Sequence, residues 1–136
     1  MRTRIVVAAI LLLVVATGCS SHSPTTPSEP GSFVLSPGQS ISYASLTVRF
    51  VGVPADSRCP GDAMCLQFVA GDATVALDIS SGGSSRRSEL LINDSARRRV
   101  RQGGFVIELT QLVPYPFVSR PIAPEDYRAT IVISPE

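Results

Sequence analysis

Three cysteines, one histidine and no lysine limit the chemistry this chain can carry. The only imidazole, His22, lies in a Ser, Thr and Pro-rich stretch, so neither a His-based triad nor a zinc site built on imidazole has a partner in the rest of the chain. Without lysine, Schiff-base and Ser-Lys catalysis are also excluded. Cys59 and Cys65 flank Pro60-Gly61-Asp62-Ala63-Met64. A redox pair would ordinarily be Cys-x-x-Cys, and a zinc site would need a second ligand pair, so the pair reads as a local disulfide. Asp56, Asp62 and Asp72 around that loop could offer oxygens to Ca²⁺, but their spacing matches no calcium loop and they read as solvated turn carboxylates. No catalytic residue, metal or cofactor is therefore expected; the surviving enzymatic option is a carboxylate pair of the glycosidase type among eleven scattered acids.

Recognition chemistry is better represented. Arg58 could grip an anionic ligand bidentately, although bracing its own loop by pairing with Asp56 or another carboxylate is the better reading. Tyr115 and Phe117, separated by Pro116, could present rings to a sugar or peptide, or could plug the end of the fold. Arg58, Tyr115 and Phe117 together are the candidate binding surface. Arg97, Arg98, Arg99 and Arg101 could meet lipid headgroups or an acidic partner, but a charge run in a loop is ordinarily just solvated.

The amino terminus sets the compartment. Arg2 and Arg4 precede an uncharged apolar run over residues 5–16, the layout of a secretory signal. Twelve helical residues span only about 18 Å, short of the roughly 30 Å hydrocarbon core. Ala16-Thr17-Gly18-Cys19-Ser20 then resembles the bacterial lipobox, with Ala16 where Leu is commoner. The resemblance implies cleavage after residue 18 and lipidation of Cys19, which supplies the more than one acyl chain that stable anchoring needs. Ser20 in place of Asp implies the outer membrane where a cell has two. Export also favours persistence of the Cys59–Cys65 bridge.

Residues 1–18 thus read as signal peptide and 19–31 as lipidated Cys19 plus a tether too poor in apolar side chains to offset its ordering entropy. Residues 32–136 form one domain. All twelve basic residues are arginine, and two leave with the signal, so the mature chain carries ten basic against eleven acidic groups, a balance that argues against nucleic acid as partner.

The elements that must position these residues are strands. Short apolar runs alternate with Gly, Pro, Ser and Asp punctuation from Ser32 onward, and no segment of useful length has helical periodicity. Strands are expected over 33–35, 40–43, from Leu46 through Phe50, over 66–70, 72–80, 88–92, from Phe105 through Leu109, and over 127–133. Segment 80–85 reads as a loop and 93–104 as a polar connection, while the alternation slips around Leu112. The expected core is Leu46, Val48, Phe50, Val75, Leu77, Ile79, Phe105, Ile107, Leu109, Tyr127, Ala129 and Ile131. Seven or eight short strands in about 105 residues suggest an all-β antiparallel sandwich, or failing that a small barrel.

Asp56-Ser57-Arg58-Cys59-Pro60, then Cys65, then Ala70-Gly71, resembles a pattern of uncharacterised bacterial envelope lipoproteins, roughly Asp-Ser-Arg-Cys-Pro, a short loop, and Cys-x-Trp-Ala-Gly. Leu112-Val113-Pro114-Tyr115-Pro116 and Asp126-Tyr127 extend it loosely over most of the domain. This chain departs from the pattern at the Trp, whose place Phe68 could fill. The resemblance implies an envelope address and brings no activity with it. The expected function is a non-enzymatic binding or interaction module with an envelope protein or glycan partner; the alternatives are a structural accessory lipoprotein or a carbohydrate hydrolase. Metabolic fatty-acid labelling should mark the mature protein and be abolished in Cys19→Ala; labelling that persists there would refute lipidation at Cys19.

Overall fold

Residues 29–66 and 71–136 are described in the computed structural model. The expected signal peptide, Cys19 and nearly all of the tether lie outside the described residues, as do residues 67–70 of the strand expected over 66–70; Leu66 itself is in no strand.

The described residues form eight strands: β1 (Gly31–Leu35), β2 (Ser40–Tyr43), β3 (Leu46–Asp56), β4 (Ala73–Ser81), β5 (Ser84–Leu91), β6 (Arg99–Gln102), β7 (Phe105–Val113) and β8 (Arg128–Pro135). The 3-10 turn Pro124–Asp126 precedes β8, and no α-helix occurs among the described residues. The strands make two four-stranded antiparallel sheets, ordered β1-β8-β7-β6 and β2-β3-β4-β5, facing each other as an all-β sandwich and not closed into a barrel. The core lies between them. Every residue expected in it is buried, and Leu35, Ala73, Leu90, Leu112 and Ile133 join them.

The strand expected from Leu46 through Phe50 runs on to Asp56, the loop expected over 80–85 shrinks to Gly82-Gly83, and two further expectations need correction. Segment 93–104 is not only a connection, because it holds strand β6, and the strand expected over 88–92 begins four residues earlier, at Ser84. Both errors share a cause. β5 and β6 are edge strands of their sheets, and the side chains they turn outward are Ser and Arg, so apolar alternation is almost absent from them. The signal that would have found them is the turn: Gly82-Gly83 joins Ser81 to Ser84, and Gly103-Gly104 joins Gln102 to Phe105. All four glycines have positive φ, as two-residue hairpins with the twist of the flanking strands require. The slip near Leu112 is a bulge, since the β7–β8 register shifts between Leu109 and Gln111 and returns Leu112 to the core.

The sandwich has two distinct ends. Gly31, where the tether leads into β1, pairs with Ile133 near the end of β8. The β3–β4 and β7–β8 connections lie at the start of β8, where Val113 pairs with Arg128. Five residues of β8, about 17 Å, separate these levels. Because Leu77 is fully buried and Thr74 only partly, Leu77→Ala should destabilise by roughly 2–5 kcal/mol and Thr74→Ala by far less; equal shifts in chemical-denaturation midpoint would overturn the facial assignment.

Candidate functional site

Two long connections meet at the end of the sandwich away from Gly31. β3 finishes at Asp56, and the chain then carries Ser57, Arg58 and the Cys59–Cys65 disulfide, whose Cα atoms are 6.0 Å apart. On the other sheet, β7 finishes at Val113 and leads into Pro114-Tyr115-Pro116-Phe117. Proline at 114 and 116 withholds backbone donors and stops β7 from continuing.

Arg58 ties the two connections together. It is only 5% exposed. Its Nε donates to Asp56 Oδ1 at 2.9 Å and its Nη2 to Asp56 Oδ2 at 2.6 Å, a bidentate pair within one turn. Nη1 donates to the carbonyl of Leu112, near the end of β7, at 2.8 Å, and Nη2 to that of Pro114, on the connection beyond it, at 3.0 Å. Tyr127, at the foot of β8, donates its hydroxyl to Asp56 Oδ2 at 3.0 Å, and the Tyr115 ring lies over the guanidinium with its centroid 5.3 Å from Cζ. Burial would raise the Asp56 pKa, but the side-chain and backbone hydrogen bonds from Arg58, helped by Tyr127, outweigh it and hold the carboxyl below its ordinary value. Burial, and then donation to Asp56, pushes the Tyr127 phenol up. Arg58 is thus a buried brace, with Nε and both terminal nitrogens hydrogen-bonded within the protein, and it does not stand on the surface with Tyr115 and Phe117.

Further bonds fix both connections. Gly61 N–H donates to the Pro116 carbonyl at 2.9 Å, and the Asp62 carboxylate accepts from the N–H groups of Val118 at 2.7 Å and Ser119 at 3.2 Å and from the Ser119 hydroxyl at 2.9 Å. Ser57 N–H and Oγ–H reach the Asp72 carbonyl at 2.8 and 2.9 Å, closing the disulfide-bearing connection back onto the start of β4. Gly71 has no alternative there: a Cβ would sit 1.5 Å from the Ser57 carbonyl oxygen. Asp72 in turn accepts from the N–H groups of Ala73 and Asn93 at 2.7 and 2.9 Å. Asp56, Asp62 and Asp72 therefore serve three separate sets of donors, and among the described residues no group of three or more His, Cys, Asp or Glu could hold a metal ion.

The aromatic pair stands outward from this frame, with Tyr115 52% and Phe117 42% exposed. Phe117 touches the disulfide-bearing connection, since a Cβ on Gly61 would lie 3.1 Å from its ring. Beside the rings is a cleft of about 290 Å³ lined by Pro114, Tyr115, Phe117, Arg120, Pro121, Ile122 and Asp126. The Arg120 guanidinium lies 5.9 Å from the Phe117 centroid. The sequence did not single out Arg120, and Asp126 entered only through the resemblance and with no role, because charges in an irregular connection carry no periodic signal. The Arg97–Arg101 group lies elsewhere, along β6 and the turn before it. There Arg97 meets Asp94 at 2.7 Å, Arg98 and Arg99 both meet Glu108, at 2.9 and 3.4 Å, and Arg101 meets Glu136 at 3.1 Å. Its charge is largely spent within the fold.

Comparison with known protein families, curated proteins and solved structures finds no match to this chain.

Removing one member of a buried pair strands the other, so Arg58→Ala should destabilise by about 3–5 kcal/mol. The pH dependence has a definite sign. A depressed carboxyl pKa contributes stability that is present above the unfolded value near 3.8 and lost as pH falls through the lower folded value. Wild type should melt well above Asp56→Asn at neutral pH, and the gap should narrow on acidification below about pH 4. A gap constant with pH would mean that the Asp56 charge contributes nothing.

Proposed function

We propose that this chain is a membrane-anchored envelope lipoprotein, held through Cys19 in the outer membrane where the cell has two, whose sandwich domain acts as a non-enzymatic binding module. The supporting observation is the exposure of large apolar side chains on the braced pair of connections. Met64, Leu66, Tyr115, Phe117 and Val118 all lie on these two segments, and only Val34 and Val113 join them among the exposed large apolar residues described. Exposed apolar side chains gathered in one region mark interaction sites, whereas scattered single ones need no explanation.

Two physical features add to this reading. The disulfide, the Arg58 brace and the Asp62 cap order both connections in advance, which removes much of the conformational cost of binding. The connections also lie at the opposite end of β8 from Gly31, so a domain tethered through residues 19–31 presents them away from its point of attachment. Against enzymatic action stand the absence of lysine and the confinement of histidine to the tether. The partner is expected to be an envelope protein or glycan.

Photoreactive side chains placed at Met64 and Val118 in the full-length lipoprotein, irradiated in intact cells, should each yield a discrete adduct that the same group at Thr47, exposed on β3, does not give. Indistinguishable patterns from all three positions would leave the module without its binding face and overturn the reading.

A further inference from the structure

We propose that the cleft between Tyr115, Phe117, Arg120 and Asp126 is a binding site for a neutral saccharide; the proposal rests on the binding-module reading and names the ligand class of its loop face. The observations that carry it are the shape of the cleft and the signs of its charges. Its volume, about 290 Å³, lies just below the usual range for drug-sized ligands, and its lining combines two rings, two prolines and Ile122 with one cation and one anion. Such a lining suits a ligand with a flat apolar face and a polar edge.

The charges decide among ligands of that shape. Arg120 lies over Phe117 and places a positive charge beside the ring, which opposes an ammonium or guanidinium ligand that would otherwise stack there. Asp126 lines the same small cleft and opposes a carboxylate or phosphate that Arg120 would otherwise attract. Neither side chain has a carboxylate or guanidinium partner among the described residues, so both are open to a ligand. An uncharged ligand that both accepts and donates hydrogen bonds satisfies both groups, because guanidinium is donor-only and an ionised carboxylate acceptor-only. Adjacent hydroxyls on a pyranose supply this combination, and the C–H face of the ring lies against an aromatic surface.

The rings are also held for the purpose. Tyr115 is backed by the buried Arg58 guanidinium, and Phe117 stands between Gly61 and Arg120. Side chains ordered before the ligand arrives lose little entropy on binding it.

The test uses the full-length acylated protein in a non-glycosidic detergent, with Tyr and Phe ring resonances followed by NMR during titration. The probes are cellobiose, maltose, chitobiose and mannobiose, with a glucuronate-containing disaccharide and a lysine-rich peptide as charged comparators. At least one neutral disaccharide should shift Tyr115 and Phe117 saturably, and more strongly than either comparator. Arg120→Ala and Asp126→Ala, both at exposed positions, should each weaken that binding at least 10-fold with an unchanged melting temperature. Silence from all four neutral probes overturns the proposal, as does binding that survives both substitutions or preference for a charged comparator. Discrete photo-adducts at Met64 and Val118 combined with silence from the sugars would retire the saccharide while leaving the binding module standing; loss of both would retire both.

Discussion

The bidentate pair between Asp56 and Arg58 is the contact on which this end of the molecule depends. Two stacked sheets are held by apolar side chains, and that attraction has no direction. Something directional must set how the connections cross from one sheet to the other. Arg58 does so by taking a carboxylate at the end of β3 and two backbone carbonyls at and beyond the end of β7. Withdrawing a guanidinium and a carboxylate from water costs several kcal/mol, and a pair alone does not reliably recover it. Here the further acceptors at Leu112 and Pro114 and the donor at Tyr127 compensate the cost.

From this brace the exposed chemistry follows by contact. Tyr115 rests on Arg58, Phe117 touches Gly61 inside the disulfide loop, and Arg120 rests on Phe117. These contacts hold the described parts of the two connections against one another. The disulfide contributes a chain-entropy stabilisation of only about 2 kcal/mol for so short a loop, so its main effect is local stiffness in the segment that Phe117 rests against.

The other notable surface is the seam where edge strands β5 and β6 approach from different sheets. Arg86 reaches across it to the Arg101 carbonyl at 3.1 Å. Arginine there serves a structural end, since charged side chains on edge strands discourage pairing with a second chain. The run of arginines that stood out in the sequence is therefore divided among Asp94, Glu108 and Glu136.

The fold class was legible in the residues, because strands with one face buried must alternate, and Leu46 through Phe50, Val75 through Ile79, Phe105 through Leu109 and Tyr127 through Ile133 do so in the central strands. Alternation failed for β5 and β6, where an edge strand turns Ser and Arg to solvent and has little apolar face to display. The Cys59–Cys65 bridge was likewise readable, since a short loop leaves the two cysteines few other partners. Three decisions lay beyond any local pattern. That Arg58 braces was open in the sequence until Leu112 and Pro114, more than fifty residues away, supplied its carbonyl acceptors. That Gly71 must be glycine depends on the Ser57 carbonyl lying where a Cβ would be. That Arg120 and Asp126 line one cleft with Tyr115 and Phe117 depends on how one proline-rich connection folds back on itself. Periodicity reports which side of a strand is buried; which groups meet across two sheets is set by packing between segments distant in sequence.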